Sequence, residues 1–264
     1  MKNELVKVRK KGVIAQALLN RPEVYNAVNF DLIDCLTDHM VSLASDNGVR
    51  GVVISGEGKA FCSGGDLKWA ASFPQGIQAA FYTLAARLHQ AVTEIRRMRK
   101  PVIAAVNGIA AGGGFSIALA CDFRVMARSA YLKVAYTSNG LCIDGGGTFM
   151  LPRIVGAARA LQITAFDMPI SSEQCLSWGL ATKVVEDGQA LAEATAMAQE
   201  LANGSINSFG WTKRLLTDSF SASFEEHLEH EREGLCDCAG HPDGIEGVRA
   251  FTEKRKPSFT SRQS

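Results

Sequence analysis

No stretch of about 18 consecutive apolar residues occurs in this 264-residue sequence, so no segment reads as a membrane-spanning helix. The opening twelve residues, MKNELVKVRKKG, are charged and lack the apolar centre of a secretion signal. Net charge is small, a formal +1, which gives no electrostatic case for nucleic acid or a strongly acidic partner. The cysteines number seven and are scattered, a pattern that suits reduced thiols in a cytoplasmic protein better than a disulfide framework. No internal repeat and no low-complexity segment is present. What remains is a globular composition, 47% hydrophobic, sufficient for a sizeable core.

Residues 101–122, PVIAAVNGIAAGGGFSIALACD, are the centre of the pattern. Val102 to Val106 suit a fully buried strand. A turn at Asn107-Gly108 leads to Gly112, Gly113 and Gly114, and then to small and apolar residues that read as a buried helix with a glycine first turn. Such a helix start carries unpaired N–H groups and the positive dipole end, and glycine lets a ligand oxygen approach them. Tight helix packing is the other reading of the same glycines. A second unit repeats the logic: buried strand 51–54, then Ala60-Phe61-Cys62-Ser63-Gly64-Gly65-Asp66-Leu67. Two such units can each supply one N–H donor to a single oxyanion.

Taken in order, residues 5–9 and 13–19 flank Lys10-Lys11-Gly12 as a hairpin. Asn29 is the expected N-cap of a helix to about residue 44. Residues 68–74 read as a mobile loop, and 75–98 as a long helix with Phe81, Leu84, Leu88, Val92 and Ile95 on its apolar face and His89 at the edge. Strands are expected at 123–126 and 131–134, and 135–142 is irregular. From 157 onward the sequence is mostly helical: 157–166, 172–178, 190–203, 205–217 and 223–238. Strands alternating with helices in this way indicate an α/β architecture with right-handed crossovers.

Several motifs in order resemble the crotonase (enoyl-CoA hydratase/isomerase) superfamily: NRPEVYNA, FCSGGDL, PVIAAVNGIAAGGG, ALACDFRVMARSA and FTEKRKP. The resemblance runs almost end to end. It implies an α/β, crotonase-like spiral of ββα units, with residues 1–200 forming the core and its CoA-thioester site. Residues 201–264 would form a helical region for trimerisation and CoA contact. The implied partners are an acyl-CoA substrate and further copies of the chain, as a homotrimer or dimer of trimers. No cofactor is implied beyond the coenzyme A of the substrate, and no metal.

By position, the resemblance assigns the oxyanion donors to the N–H groups of Gly65 and Gly113. It places the two glutamates of enoyl-CoA hydratases at Ser116 and Tyr136. Neither can hold and return a proton as a carboxylate does, which argues against two-glutamate hydration. Asp144, just before Gly145-Gly146-Gly147-Thr148, supplies a carboxylate where classical hydratases have a small residue. Relatives with aspartate there include single-carboxylate enoyl-CoA isomerases, where it shuttles a proton, and 4-chlorobenzoyl-CoA dehalogenases, where it is the nucleophile. His89 falls at the dehalogenase histidine, and Tyr136 at its active-site tryptophan. The other reading of Asp144 is an N-cap on the following helix. The resemblance puts Ser63, Asp66, Leu67, Lys68 and Ser116 beside the substrate, and Phe251 and Lys254 against coenzyme A.

Three functions follow for comparison: an enoyl-CoA isomerase using Asp144, an aromatic or alicyclic acyl-CoA dehalogenase or hydrolase using Asp144 and His89, and a non-catalytic thioester binder. His89 reaching Asp144 would favour the second, and an Asp144 held only by helix N–H groups the third. A rival cluster, His227, His230, Cys236, Cys238 and His241, offers zinc-ligand types without a standard spacing.

Overall fold

Strand β1 (Val6–Lys11) pairs antiparallel with β2 (Ile14–Leu19), and a single 3₁₀ turn, Pro22–Val24, leads to α1 (Phe30–Ser45). The chain continues through β3 (Gly51–Gly56), β4 (Ala60–Cys62), α2 (Leu67–Ala71) and α3 (Ile77–Arg97). Next come β5 (Val102–Val106), β6 (Ile109–Ala111), α4 (Gly113–Ala120), β7 (Phe123–Ala127) and β8 (Tyr131–Lys133). Then follow α5 (Gly147–Val155), α6 (Ala157–Phe166), β9 (Ile170–Ser171), α7 (Ser172–Ser177), β10 (Lys183–Val185) and α8 (Ala190–Ala202). Three helices close the chain: α9 (Ile206–Asp218), α10 (Phe224–Gly240) and α11 (Pro242–Thr252). This computed structural model describes residues 5–259; the first four and last five residues lie outside it.

The strands form two sheets, in the orders β1-β2-β3-β5-β7-β10 and β4-β6-β8-β9. Successive strands alternate between them: β3 then β4, β5 then β6, β7 then β8. Each turn of chain thus gives one strand to the large sheet, the next to the small sheet, and a helix to return. That is the expected spiral of ββα units. The strands β2, β3, β5, β7 and β10 run parallel. They need cover on both faces, so β3 and β5 are apolar runs without alternation, buried along nearly their whole length. The Ala face of α8 (Ala190, Ala194, Ala198 and Ala202) is buried against this sheet.

Local signals explain several boundaries. Asn29 caps α1 by accepting from Leu32 N at 3.0 Å, as expected. Ser171 and Gln174 form a reciprocal capping box on α7, which starts where the sequence places it. Other elements differ from the expectation. Residues 67–71 are a helix rather than part of a mobile loop, because Asp66 accepts from Trp69 N at 3.0 Å and caps it. Helix α11 was not foreseen; His241 caps it through Nδ1, with Pro242 in its first turn. The short strands β4, β6, β9 and β10 carry too few residues for a period to show.

The C-terminal helices are fastened to the core by a buried ion pair. Lys213 Nζ on α9 lies 2.8 Å from Asp122 Oδ2, just past α4, and also donates to Ile95 O at 2.9 Å. Asp122 Oδ2 in turn accepts from Val102 N at 2.8 Å. The pair is nearly solvent-free, so each charge depends on the other.

Candidate active site

The two glycine loops meet backbone to backbone. Gly64 has φ +100° and Gly112 has φ +53°, conformations open to glycine. A Cβ on Gly64 would stand 3.0 Å from Ala111 O and 3.2 Å from the Gly112 Cα, so a side chain there would push the loops apart. Val28 N donates to Gly64 O at 2.7 Å, and Asp66 N donates to Val28 O at 2.9 Å. This one-residue parallel bridge turns the intervening Gly65 N–H to the other side. Gly113 opens α4, where its N–H has no acceptor within the helix. Gly65 and Gly113 line one cavity, below Phe81, Leu84 and Leu88 of α3. The sequence reads those three only as a core face; they also roof the site.

Asp144 reaches the same cavity from the loop before α5, with Tyr136 beside it. Tyr136 Oη donates to Asp144 Oδ1. Burial, then the neighbouring Asp144 charge and the hydrogen bond to it, hold the Tyr136 phenol well above its usual range, so it keeps its proton and acts as the donor. Among the described residues, Asp144 Oδ2 has no partner. Ser116 Oγ donates to the Asp144 carbonyl at 2.7 Å, which fixes the backbone of that residue. Ser116 and Gly113 are three apart on α4, so one helix positions both the Gly113 N–H and the loop that carries Asp144.

The loop needs its glycines. Gly145 and Gly146 have φ +60° and +77°. A Cβ on Gly145 would stand 2.8 Å from the Ser116 Cβ. Asp144 is not a helix cap: Gly146 holds the N-cap position of α5 and no side chain caps that helix.

Several site residues lie differently from expectation. His89 is exposed, and its Nε2 accepts from Gly145 N at 3.2 Å; it does not contact the Asp144 carboxylate. Ser116 is buried beneath the loop rather than beside the substrate space. Asp66 is spent on capping α2 and on an ion pair with Arg21 at 3.1 Å. Ser63 and Leu67 do line the cavity, whereas Lys68 is exposed outside it. Phe251 is 84% exposed and Lys254 is exposed, and within a single chain neither lines the cavity. The zinc-type cluster does not gather. His227 pairs with Glu231, His241 caps α11, and among the described residues no three potential ligands are grouped to hold a metal.

The sequence reading missed Asp167. Its carboxylate accepts from Ala135 N at 2.6 Å and from Ser138 Oγ at 2.5 Å. Burial pushes its acidity the other way, but these hydrogen bonds outweigh it and hold the carboxyl below its usual value. Ala135, directly before Tyr136, has φ +56°, a costly conformation for a residue with a Cβ. Asp167 therefore stabilises the strained turn that aims Tyr136 at Asp144. No local signal marks it, because its role depends on contact with a loop some thirty residues earlier in the chain.

A family model described as enoyl-CoA hydratase/isomerase matches residues 9–262. The chain is 34% identical over 254 residues to a 1,2-epoxyphenylacetyl-CoA isomerase of Escherichia coli K12, covering 96% of this chain and 97% of that protein. It is 30% identical to a 4-chlorobenzoyl coenzyme A dehalogenase of an Arthrobacter species, covering 96% and 92%. The crystal structure of an enoyl-CoA hydratase from Polaromonas sp. JS666 superposes with a TM-score of 0.92 at 34% identity, covering 97% of this chain and 99% of that one. Relatives bearing the names of three different activities are thus similar to this chain along nearly its whole length, so a specific activity has to be argued from the site.

Proposed function

The chain belongs to the enoyl-CoA hydratase/isomerase family, and from that premise we propose that it moves a double bond in an enoyl-CoA thioester from the β,γ to the α,β position. The observation that carries this reading is the state of Asp144. One of its oxygens is held by the Tyr136 phenol, the other has no partner among the described residues, and Asp144 lines the same cavity as Gly65 and Gly113.

In this mechanism the thioester carbonyl oxygen accepts hydrogen bonds from Gly65 and Gly113. Asp144 Oδ2 removes a proton from the carbon next to the carbonyl, and the resulting charge spreads onto the oxygen as a dienolate. Preorganised donors stabilise that charge, each by about 3 kcal/mol in typical enzymes. Asp144 then returns the same proton to the γ carbon, which leaves the double bond conjugated with the thioester. Tyr136 keeps its proton throughout and holds the carboxylate in place. A single carboxylate suffices because one proton leaves and one returns. Addition of water would need a second acid/base group, and the two glutamate positions are Ser116 and Tyr136.

The dehalogenase and hydrolase readings are disfavoured by His89, which is exposed and accepts from Gly145 N rather than reaching the Asp144 carboxylate. The cap reading, which favoured a non-catalytic binder, fails with the Gly146 N-cap. No cofactor is required beyond the coenzyme A of the substrate, and the setting is cytoplasmic. The exposed Leu216, Phe220, Phe224, Leu235, Val248 and Phe251 of α9–α11 suit assembly into a homotrimer or dimer of trimers, in which Phe251 and Lys254 would meet the coenzyme A of a neighbouring copy. A monomeric mass by light scattering would rule that assembly out.

The deciding experiment is a steady-state assay on 3-enoyl-CoA thioesters that follows the conjugated product, with Asp144→Asn in parallel. Turnover that depends on Asp144 is expected. No turnover at any acyl length would overturn the isomerase reading.

A further inference from the structure

A second cavity, of about 420 Å³, lies between the C-terminal end of α3 and helix α9. It is within the size range of small-ligand sites. Arg96 is eight residues beyond Leu88 on α3, about 12 Å along the helix from the roof of the glycine cavity. The two cavities share no lining residue.

Its walls carry Arg96, Arg97, Arg99, Trp211, Lys213 and Arg214. Lys213 is neutralised by Asp122. The arginines are held differently, chiefly by aromatic faces. Arg99 and Arg214 stand 5.8 Å and 5.3 Å from the Trp211 ring, and Arg96 5.5 Å from the Phe149 ring. A ring face fixes a guanidinium in position without consuming its in-plane N–H fork, which matters most for Arg96, whose fork makes no hydrogen bond among the described residues. Arg96 is half-buried, and neither it nor Arg97 has a hydrogen bond or ion pair among the described residues. Asp218 pairs with Arg214 at 3.8 Å, and Asp218 and Asp122 also act on Arg96 through space, so the cationic side chains around the recess still outnumber the carboxylates. Arg99 spends one nitrogen on Asn207 Oδ1 at 2.8 Å, and Trp211 Nε1 donates to Asp237 at 2.6 Å, which anchors the indole.

Clustering like charges around a recess is unfavourable unless an anion enters it. Guanidinium forks match phosphate oxygens two at a time, and the number of forks here exceeds what one phosphate can accept. We propose that this cavity binds a diphosphate group, with Arg96 and Arg97 as its principal holders and Arg99 and Arg214 completing the cradle. Free pyrophosphate, a nucleoside diphosphate and a second coenzyme A molecule all carry this group, and the test separates these sources.

The test is calorimetric titration of the full chain at low ionic strength with pyrophosphate, orthophosphate, sulfate, ADP and coenzyme A. Arg96→Gln and Arg97→Gln are titrated alongside. One pyrophosphate per chain is expected, with orthophosphate and sulfate at least about tenfold weaker and each variant weakened by about tenfold. The thioester KM should be unchanged in both variants. A second coenzyme A per chain that disappears in the variants would identify coenzyme A as the source; ADP binding without it would identify a nucleotide. Arg97 is exposed, so its replacement leaves the fold intact should Arg96→Gln prove unstable. Absence of saturable pyrophosphate binding, or equal affinity in wild type and Arg97→Gln, or sulfate binding as tightly as pyrophosphate, would overturn the proposal.

Discussion

The two arms of the candidate site are built from different materials. The oxyanion arm consists of main chain, Gly65 N–H and Gly113 N–H, supplied by loops that leave buried parallel strands and pack on each other through glycine. The carboxylate arm consists of side chains, Asp144 and Tyr136, on a loop bent at Ala135, Gly145 and Gly146. Main-chain donors are indifferent to which proton moves, so in the proposed mechanism the first arm would serve any thioester enolate and the second would decide where protons go. This explains how relatives with one fold bear the names of an isomerase, a hydratase and a dehalogenase.

The sharpest break between the arms is Asp144→Asn, which removes the base and leaves the donors. Its kcat on a 3-enoyl-CoA should fall by about 10²-fold or more with KM little changed. Gly64→Ala attacks the other arm through its backbone. The Cβ would force Gly65 and Gly112 apart, and a loss of about 10²-fold in kcat/KM is expected, the scale of one misplaced oxyanion donor. If Gly64→Ala keeps full activity on an unchanged fold, the donor assignment is wrong.

Tyr136→Phe tests the link within the carboxylate arm. It removes the hydroxyl on Asp144 Oδ1, and a drop of about tenfold in kcat is expected. The raised phenol also fixes a pH expectation. Tyr136 stays protonated above the usual tyrosine range, so kcat should show no loss from phenol ionisation up to about pH 10. An alkaline limb present in wild type and absent in Tyr136→Phe would contradict this. Asp167→Ala releases the strained turn at Ala135, and a loss of several-fold, about three to ten, should appear in kcat with thioester binding retained. His89→Ala should be the mildest, no more than about threefold, because one hydrogen bond to Gly145 N supports the loop from outside. An abolished rate in that variant would return the histidine to the chemistry and favour the hydrolytic reading.

The oxyanion arm was legible in the sequence because its physics is local. A buried apolar run followed by a glycine turn and a small-residue helix describes both strand-to-loop units. Even the glycine spacing reports the required backbone freedom, at Gly64 and at Gly112. The carboxylate arm was half legible. Asp144 stands out in the sequence before three glycines, and the resemblance marks Ser116 and Tyr136 as positions without a carboxylate. The supports of Asp144 were not legible. The resemblance puts Ser116 and Asp66 beside the substrate, whereas Ser116 braces a carbonyl and Asp66 caps α2 and pairs with Arg21. A polar side chain at a known position has several partners within reach, and sequence does not say which one it takes.

The sequence by itself determined the alternation of strands and helices and singled out the two glycine loops and Asp144 as candidates, since apolar periodicity and backbone freedom are properties of neighbouring residues. Only the tertiary structure decided that Tyr136 rather than His89 contacts that carboxylate, that Asp167 holds the turn before Tyr136, and that Arg99 from the loop after α3 meets Trp211 of α9. Those contacts join segments far apart in the chain, and packing alone sets which of them close.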